Sequence, residues 1–281
     1  MRKNLYLIIL CCVLSACQGS KKSGIDTPTV SVTIEPFRYF VEQLAGDSVK
    51  VNVLVPAGSN PETYEPTAQQ MVQLAASQLY LKVGNIGFEA TWMKKLQENA
   101  LAMKVVDTSA GIRPAKTASG ITDPHTWMSC SSVRIIAGNI YRALAETYPQ
   151  HRALFRQNYE RFLVKLKAEE QKLDSILHKG GKTVANSFVI YHPALTYFAR
   201  DYGLLQLPIE EEGREPSIQQ IQQLIDRAKR ERISVVFIQK EFANRNTETF
   251  LQATATQPTE INPLSYQWKE QMERVAQRLA K

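Results

Sequence analysis

The chain has 281 residues, 44% hydrophobic and 22% charged, with a formal net charge of +7. Those proportions leave room for two modest cores and exclude a disordered or fibrous chain. The basic residues are scattered among Glu and Asp with no dense, aromatic-interleaved block, which argues against nucleic-acid binding.

Residues 1–16 read as a lipoprotein signal peptide. Arg2 and Lys3 give a positive start, and Leu5 to Leu14 is an apolar run too short to be kept as a membrane span. Leu14-Ser15-Ala16-Cys17 resembles the bacterial lipoprotein processing site. By that resemblance Cys17 becomes the mature N-terminus, and its acyl chains anchor an otherwise soluble protein to a membrane. Loss of Arg2 and Lys3 lowers the net charge to +5. Cys11 and Cys12 leave with the signal, so only Cys130 remains and no internal disulfide is expected. Cys130 reads as a small buried apolar residue.

Residues 17–28 are small and polar, a tether. The next stretch, 29–148, reads as an N-terminal α/β lobe. Thr29 to Ile34 is a β-branched strand, Pro36 to Ala45 a helix stopped by Gly46, and Val49 to Val55 a second strand. A loop dense in turn formers runs to Pro66, and Thr67 caps a helix expected to reach Ser77. Leu79 to Val83 is a strand, Phe88 to Asn99 a helix, and Met103 to Val106 a fourth strand. Strand–helix alternation is the signature of a parallel sheet with crossover helices. A small-residue loop, Ala110 to Thr122, leads to Asp123-Pro124-His125-Thr126-Trp127 and then a helix.

Residues 149–179 form one long helix. Phe155, Tyr159, Phe162, Leu163, Leu166, Leu173 and Leu177 recur at helical spacing, with Pro149 opening the run and Gly180-Gly181 closing it. A helix of about 45 Å is long enough to span two bodies. The heptad lapses at Glu169 and Glu170, against a coiled-coil arm.

Residues 180–281 repeat the logic as a C-terminal α/β lobe. Thr183 to Ile190 is a strand, followed by Tyr191-His192-Pro193 and a helix to Tyr202. Leu204 to Ile209 is a strand, and Ser217 with Gln220 makes a capping box. Ile233 to Ile238 is a central strand, Phe250 lies in a helix, Thr259 to Ile261 is an edge strand, and Tyr266 to Ala280 is the last helix. No sequence repeat is read beyond this shared architecture. The fold class is therefore α/β: two Rossmann-like lobes with mostly parallel sheets, joined by one long helix.

Ligands of open parallel sheets bind beyond the carboxyl ends of the strands. Those ends offer Glu62, then Asp123 and His125, then His192, then Gln239, Glu241 and Asn244. Two imidazoles and a carboxylate suit a divalent first-row metal, and the lack of thiolate argues against Cu(I). His151 and His178 fall on the polar side or end of the long helix and read as surface residues.

These stretches resemble the substrate-binding lipoproteins of ABC transporters for zinc or manganese, the class with a rigid linking helix. Pro61-Glu62-Thr63-Tyr64-Glu65-Pro66 is similar to its Pro-His-x-Tyr-Glu-Pro loop, and Asp123-Pro124-His125-Thr126-Trp127 to its Asp-Pro-His-x-Trp loop. Tyr191-His192-Pro193-Ala194 with the helix to Leu204, Glu212-Gly213-Arg214-Glu215-Pro216-Ser217, and Pro263-Leu264 with Trp268 also fit. The resemblance implies metal held between the lobes with little hinge motion. It carries His125 and His192 onto ligand positions. Glu62 stands where the family usually has His, and Ala243 where its carboxylate aligns. The loop Ala110 to Thr122 lacks the His- and Asp-rich insertion of some zinc-specific members.

The expected site is thus Glu62, His125 and His192 around a divalent cargo ion, zinc first, with manganese or iron as alternatives. Glu241, Asn244, Gln239 or water completes the shell. The expected protein is a binding module, not an enzyme. It is a periplasmic or cell-surface monomer, lipid-anchored, whose partner is an ABC transporter permease. Two other readings stay open. One is a metal-dependent hydrolase, with Glu241 or the Glu210–Glu212 run as base, although no His-Glu-x-x-His motif is present. The other is an adhesin or scaffold lipoprotein with a degenerate site.

Overall fold

The computed structural model describes residues 27–117, 120–178, 185–210, 215–239 and 245–280. The first sheet contains β1 (Thr29–Val32), β2 (Lys50–Val53), β3 (Ser77–Lys82) and β4 (Lys104–Asp107), in the order β2-β1-β3-β4. All pairings are parallel, with Val30 opposite Val51 and Leu79. The crossovers carry α1 (Glu35–Ala45), α2 (Ala68–Ala75) and α3 (Gly87–Asn99), and α4 (Cys130–Thr147) follows β4. The central strand β1 is almost wholly buried, as the crossover helices of a parallel sheet require.

The second sheet contains β5 (Ser187–Ile190), β6 (Leu205–Pro208), β7 (Val236–Gln239) and β8 (Pro258–Ile261). Its order, β6-β5-β7-β8, reproduces the first, again all parallel. Its helices are α6 (Thr196–Tyr202), α7 (Ile218–Arg230), α8 (Arg245–Thr254) and α9 (Trp268–Leu279), while α5 (Arg152–His178) links the two sheets.

The two lobes do share a short sequence repeat. Glu65-Pro66-Thr67-Ala68-Gln69-Gln70 opens α2, and Glu215-Pro216-Ser217-Ile218-Gln219-Gln220 opens α7. Both are full capping boxes. The cap amide donates to the Gln Oε1 at 2.9 Å (Thr67) and 2.8 Å (Ser217), and the Gln amide returns to the cap hydroxyl at 3.3 Å in each. Most strands are shorter or shifted relative to the sequence reading, and two of the shifts have a visible cause. Ser77 starts β3 instead of ending α2, because its hydroxyl meets Ser31 Oγ at 2.7 Å beneath the sheet. Ile233 belongs to the turn that closes α7, its amide bonded to Ala228 O, so β7 begins only at Val236.

Helix α5 has 27 residues after a short turn of 3₁₀ helix, Pro149–His151. That is about 40 Å, enough to run past both sheets. Phe155, Phe162, Leu166, Leu173 and Leu177 are buried as the spacing predicts. Glu169 is buried on the same stripe, 3.3 Å from Lys269 Nζ of α9. One core runs from the first sheet through α5 to Phe188, Phe237 and the apolar side of α9. A smaller one, including Val189, Leu207, Ile225, Val236 and Phe250, lies in the second lobe. Two cores are thus present, but the larger joins both lobes, and this continuity fixes the walls of the cleft between them. Cys130 is buried, and burial pushes its thiol pKa up, which keeps it unreactive. Among the described residues no helix is long and apolar enough to cross a membrane.

Candidate metal centre

The chain after β4 turns back to the cleft through Asp123-Pro124-His125. Asp123 Oδ1 accepts from the His125 backbone N–H at 2.8 Å and meets the ring Nδ1 at 2.9 Å. One carboxylate oxygen therefore sets both the turn and the direction of the imidazole. The other oxygen accepts from Thr196 Oγ1 at 2.5 Å, and the Tyr197 hydroxyl donates to Asp123 O at 3.0 Å. Both partners sit on α6, so the second lobe helps to aim a side chain of the first. Burial alone would raise the Asp123 pKa. The charge and hydrogen bonds of His125, with the Thr196 bond, outweigh burial and hold the carboxyl below the ordinary range.

His192 follows β5 at the carboxyl end of the second sheet. Its Nδ1 lies 3.2 Å from Glu210 Oε1, just past β6. Gln239, at the end of β7, clamps its backbone: Oε1 accepts from His192 N at 3.2 Å and Nε2 donates to His192 O at 2.8 Å. With both ends of its amide engaged in this way, Gln239 orients His192, and it also lines the cavity shared with His125 and Glu62. Glu241, Ala243 and Asn244 lie outside the described residues.

The two rings meet across the cleft with Nε2 atoms 3.2 Å apart. If each Nδ1 donates its proton to its carboxylate, the two Nε2 lone pairs face one another, and a cation between them relieves the repulsion. Two nitrogens each bound to a tetrahedral zinc at ~2.0–2.1 Å would stand roughly 3.3 Å apart. The donor set and its spacing therefore fit a first-row metal ion.

Glu62 lines the same small cavity, about 20 Å³, with His125 and His192. That volume holds about one water-sized occupant. Pro61, Ala194, Pro263 and Leu264 give it an apolar wall, and Asn60 and Gln239 add polar lining. The Glu62 carboxylate accepts from Gly87 N at 3.1 Å. Among the described residues, no three His, Cys, Asp or Glu side chains are already gathered as a metal-binding group. Of the sequence-predicted residues, the structure joins His125 to His192 and puts Glu62 on the wall of their cavity. His178 is exposed and His151 half-buried on and beside the linking helix, away from the cavity lining. Sequence reasoning missed the positioning role of Glu210, which it named only as part of a possible base, and those of Gln239 and Thr196. Glu210 and Gln239 lie at or just beyond strand ends, and Thr196 opens a helix; none carries a sign of its partner in the local sequence.

A family model described as the zinc-uptake complex component A, periplasmic, matches residues 30–281. The chain belongs to this ZnuA family. A putative metal-binding protein of Chlamydia trachomatis serovar D is 31% identical, over 73% of this chain and 72% of its own. The high-affinity zinc uptake system protein ZnuA of Bacillus subtilis is 24% identical, over 96% of this chain and 88% of its own. A crystal structure of ZnuA superposes with a TM-score of 0.85 at 37% identity, covering 91% of this chain and 98% of that one. The ZnuA fold, with two parallel sheets and a long connecting helix, is therefore shared. The ZnuA family is one of solute-binding components.

Proposed function

We propose that the protein captures a divalent metal ion between its lobes and delivers it to an ABC transporter permease. His125, His192 and Glu62 are the protein ligands, and water completes the shell. The observation that carries this reading is the Nε2-to-Nε2 approach of His125 and His192 at 3.2 Å, with a carboxylate behind each ring. Asp123, Glu210 and Glu62 gather around the two imidazoles and supply negative charge that a bound dication offsets. Zinc is the first choice. A four-coordinate set of two imidazoles, one carboxylate and water suits it, and the matching family model and the Bacillus subtilis relative carry zinc uptake in their names.

Positions 29–148 and 180–281 act as the two lobes and 149–179 as the linker. The continuous core makes large opening costly, so release depends on a partner that binds the emptied form better. That partner is the permease. Lipidation at Cys17 keeps the monomeric binding protein at the membrane surface, in the periplasm or on the cell exterior. Mass spectrometry of the protein purified from membranes tests this, since Cys17→Ala abolishes the acyl adduct. The ligand set is tested by titrating Zn²⁺ into metal-stripped wild type, His125→Ala, His192→Ala and Glu62→Ala. Unchanged affinity in any of them removes that residue from the set.

A further inference from the structure

We infer that Gly87 determines how Glu62 meets the metal: it leaves the space in which one carboxylate oxygen is held, so that only the other can coordinate. This rests on the metal-capture reading above.

Helix α3 begins at Gly87, and its N-cap residue, Ile86, offers no side-chain hydrogen bond. The Glu62 carboxylate supplies one instead, with Oε2 accepting from Gly87 N at 3.1 Å. The neighbouring chain is fastened to the same helix end. Phe88 N donates to Pro61 O at 2.9 Å, while Glu62 N donates to Asn60 Oδ1 at 2.9 Å and so sets the turn within the segment itself. The segment 60–62 is thus stitched to the start of α3 while Glu62 lines the cavity with both histidines. An amide at a helix N-terminus favours an anion, so Oε2 has reason to stay. Oε1 is then the oxygen available to a metal. A carboxylate gripped in this manner binds through one oxygen, and its anchored partner atom fixes its orientation. Two imidazoles, one carboxylate oxygen and one water make four ligands, the number zinc favours. A two-oxygen carboxylate would raise the count toward the oxygen-rich, six-coordinate shells that suit manganese.

The glycine is explained by space, not by backbone conformation. A Cβ at position 87 would overlap Glu62 Oε2 and come within 3.2 Å of Glu62 Cα and Cδ. Alanine is otherwise the better helix former, so glycine at a first helical position has a local reason. Oε2 is the far end of a flexible side chain, so Gly87→Ala expels the carboxylate from the helix end, with a shift of a few tenths of an ångström at Glu62 Cα.

The test is a double-mutant cycle on the whole mature protein: wild type, Gly87→Ala, Glu62→Ala and the double variant. Competitive titration with Zn²⁺ and Mn²⁺ reads affinity, visible absorption of the Co²⁺ form reads coordination number, and circular dichroism checks folding. Gly87→Ala should weaken Zn²⁺ binding about tenfold, within the ~10–100-fold range for lost ligand-orienting partners. It should weaken Mn²⁺ less and change the Co²⁺ spectrum. In the Glu62→Ala background the same substitution should change none of the three. An equal effect in both backgrounds, or none in either, overturns the role of Gly87. Absence of stoichiometric metal from folded wild type, or its retention by His125→Ala, fails at an earlier step and overturns the metal-capture reading together with this inference.

Discussion

Trp127 and Trp268 bind the two lobes by complementary hydrogen bonds. Trp268 Nε1 donates to Trp127 O at 2.7 Å, and Trp127 Nε1 donates to Pro263 O at 2.7 Å. Both rings are fully buried, and Trp268 packs against Tyr39 and Phe40 of α1. Trp127 is two residues from His125, and their ring centroids are 5.1 Å apart. The joint between lobes therefore backs the site: it packs on the His125 ring and holds Pro263, which lines the cavity.

Trp268→Phe removes one donor and leaves Trp127 O buried without it. A cost of about 1–3 kcal/mol is expected. Thermal unfolding should show a midpoint lower by roughly 2–4 °C per kcal/mol. Metal affinity should fall modestly in the same variant, because the backbone beside His125 loses its anchor.

Asp123→Asn and Glu210→Gln leave both imidazoles in place and remove the charge behind each. Each should weaken zinc binding by about 10–100-fold while the protein stays folded. Isothermal titration of each variant checks this, and an unchanged constant would reduce that carboxylate to a packing role.

Glu169 gives a pH prediction. Burial raises its carboxyl pKa and Glu273 adds to the rise, while Lys269 and Lys172 oppose it. The folded protein therefore holds this proton more tightly than the unfolded chain. Its contribution is most favourable below the ordinary carboxylate pKa and is lost as pH rises through the folded value. Relative to wild type, Glu169→Gln should gain stability as pH rises across that interval and then level off. Urea unfolding of both proteins at pH 4 and pH 7 measures the change, and a constant difference would contradict it.

The repeated capping boxes predict additivity. Thr67→Ala and Ser217→Ala should each cost about 1 kcal/mol, and the double variant about the sum, because the two caps belong to different lobes. Chemical denaturation checks both values.

Much of this was legible in the chain. The spacing of Phe155, Phe162, Leu166 and Leu173 predicts the linking helix, and strand–helix alternation predicts the two parallel sheets. His125 and His192 stand out because parallel sheets bind ligands at strand ends. What was not legible depends on contacts distant in sequence. Glu169 breaks the apolar pattern of the helix and is buried only because Lys269 arrives from α9. Glu210 gives no local sign that it backs His192, 18 residues earlier. The reason for glycine at 87 is visible only once Glu62 is brought against it. Strand ends were overestimated because β-branched residues such as Thr33 and Ile34 continue past the last ladder pair.

The most direct test is the metal content of the soluble form beginning at Ser20, stripped and reloaded with Zn²⁺, Mn²⁺ and Fe²⁺ in competition. The account predicts one tight equivalent, zinc preferred, lost in His125→Ala and in His192→Ala. A folded protein that takes up no stoichiometric metal, or one whose metal survives both substitutions, would contradict it.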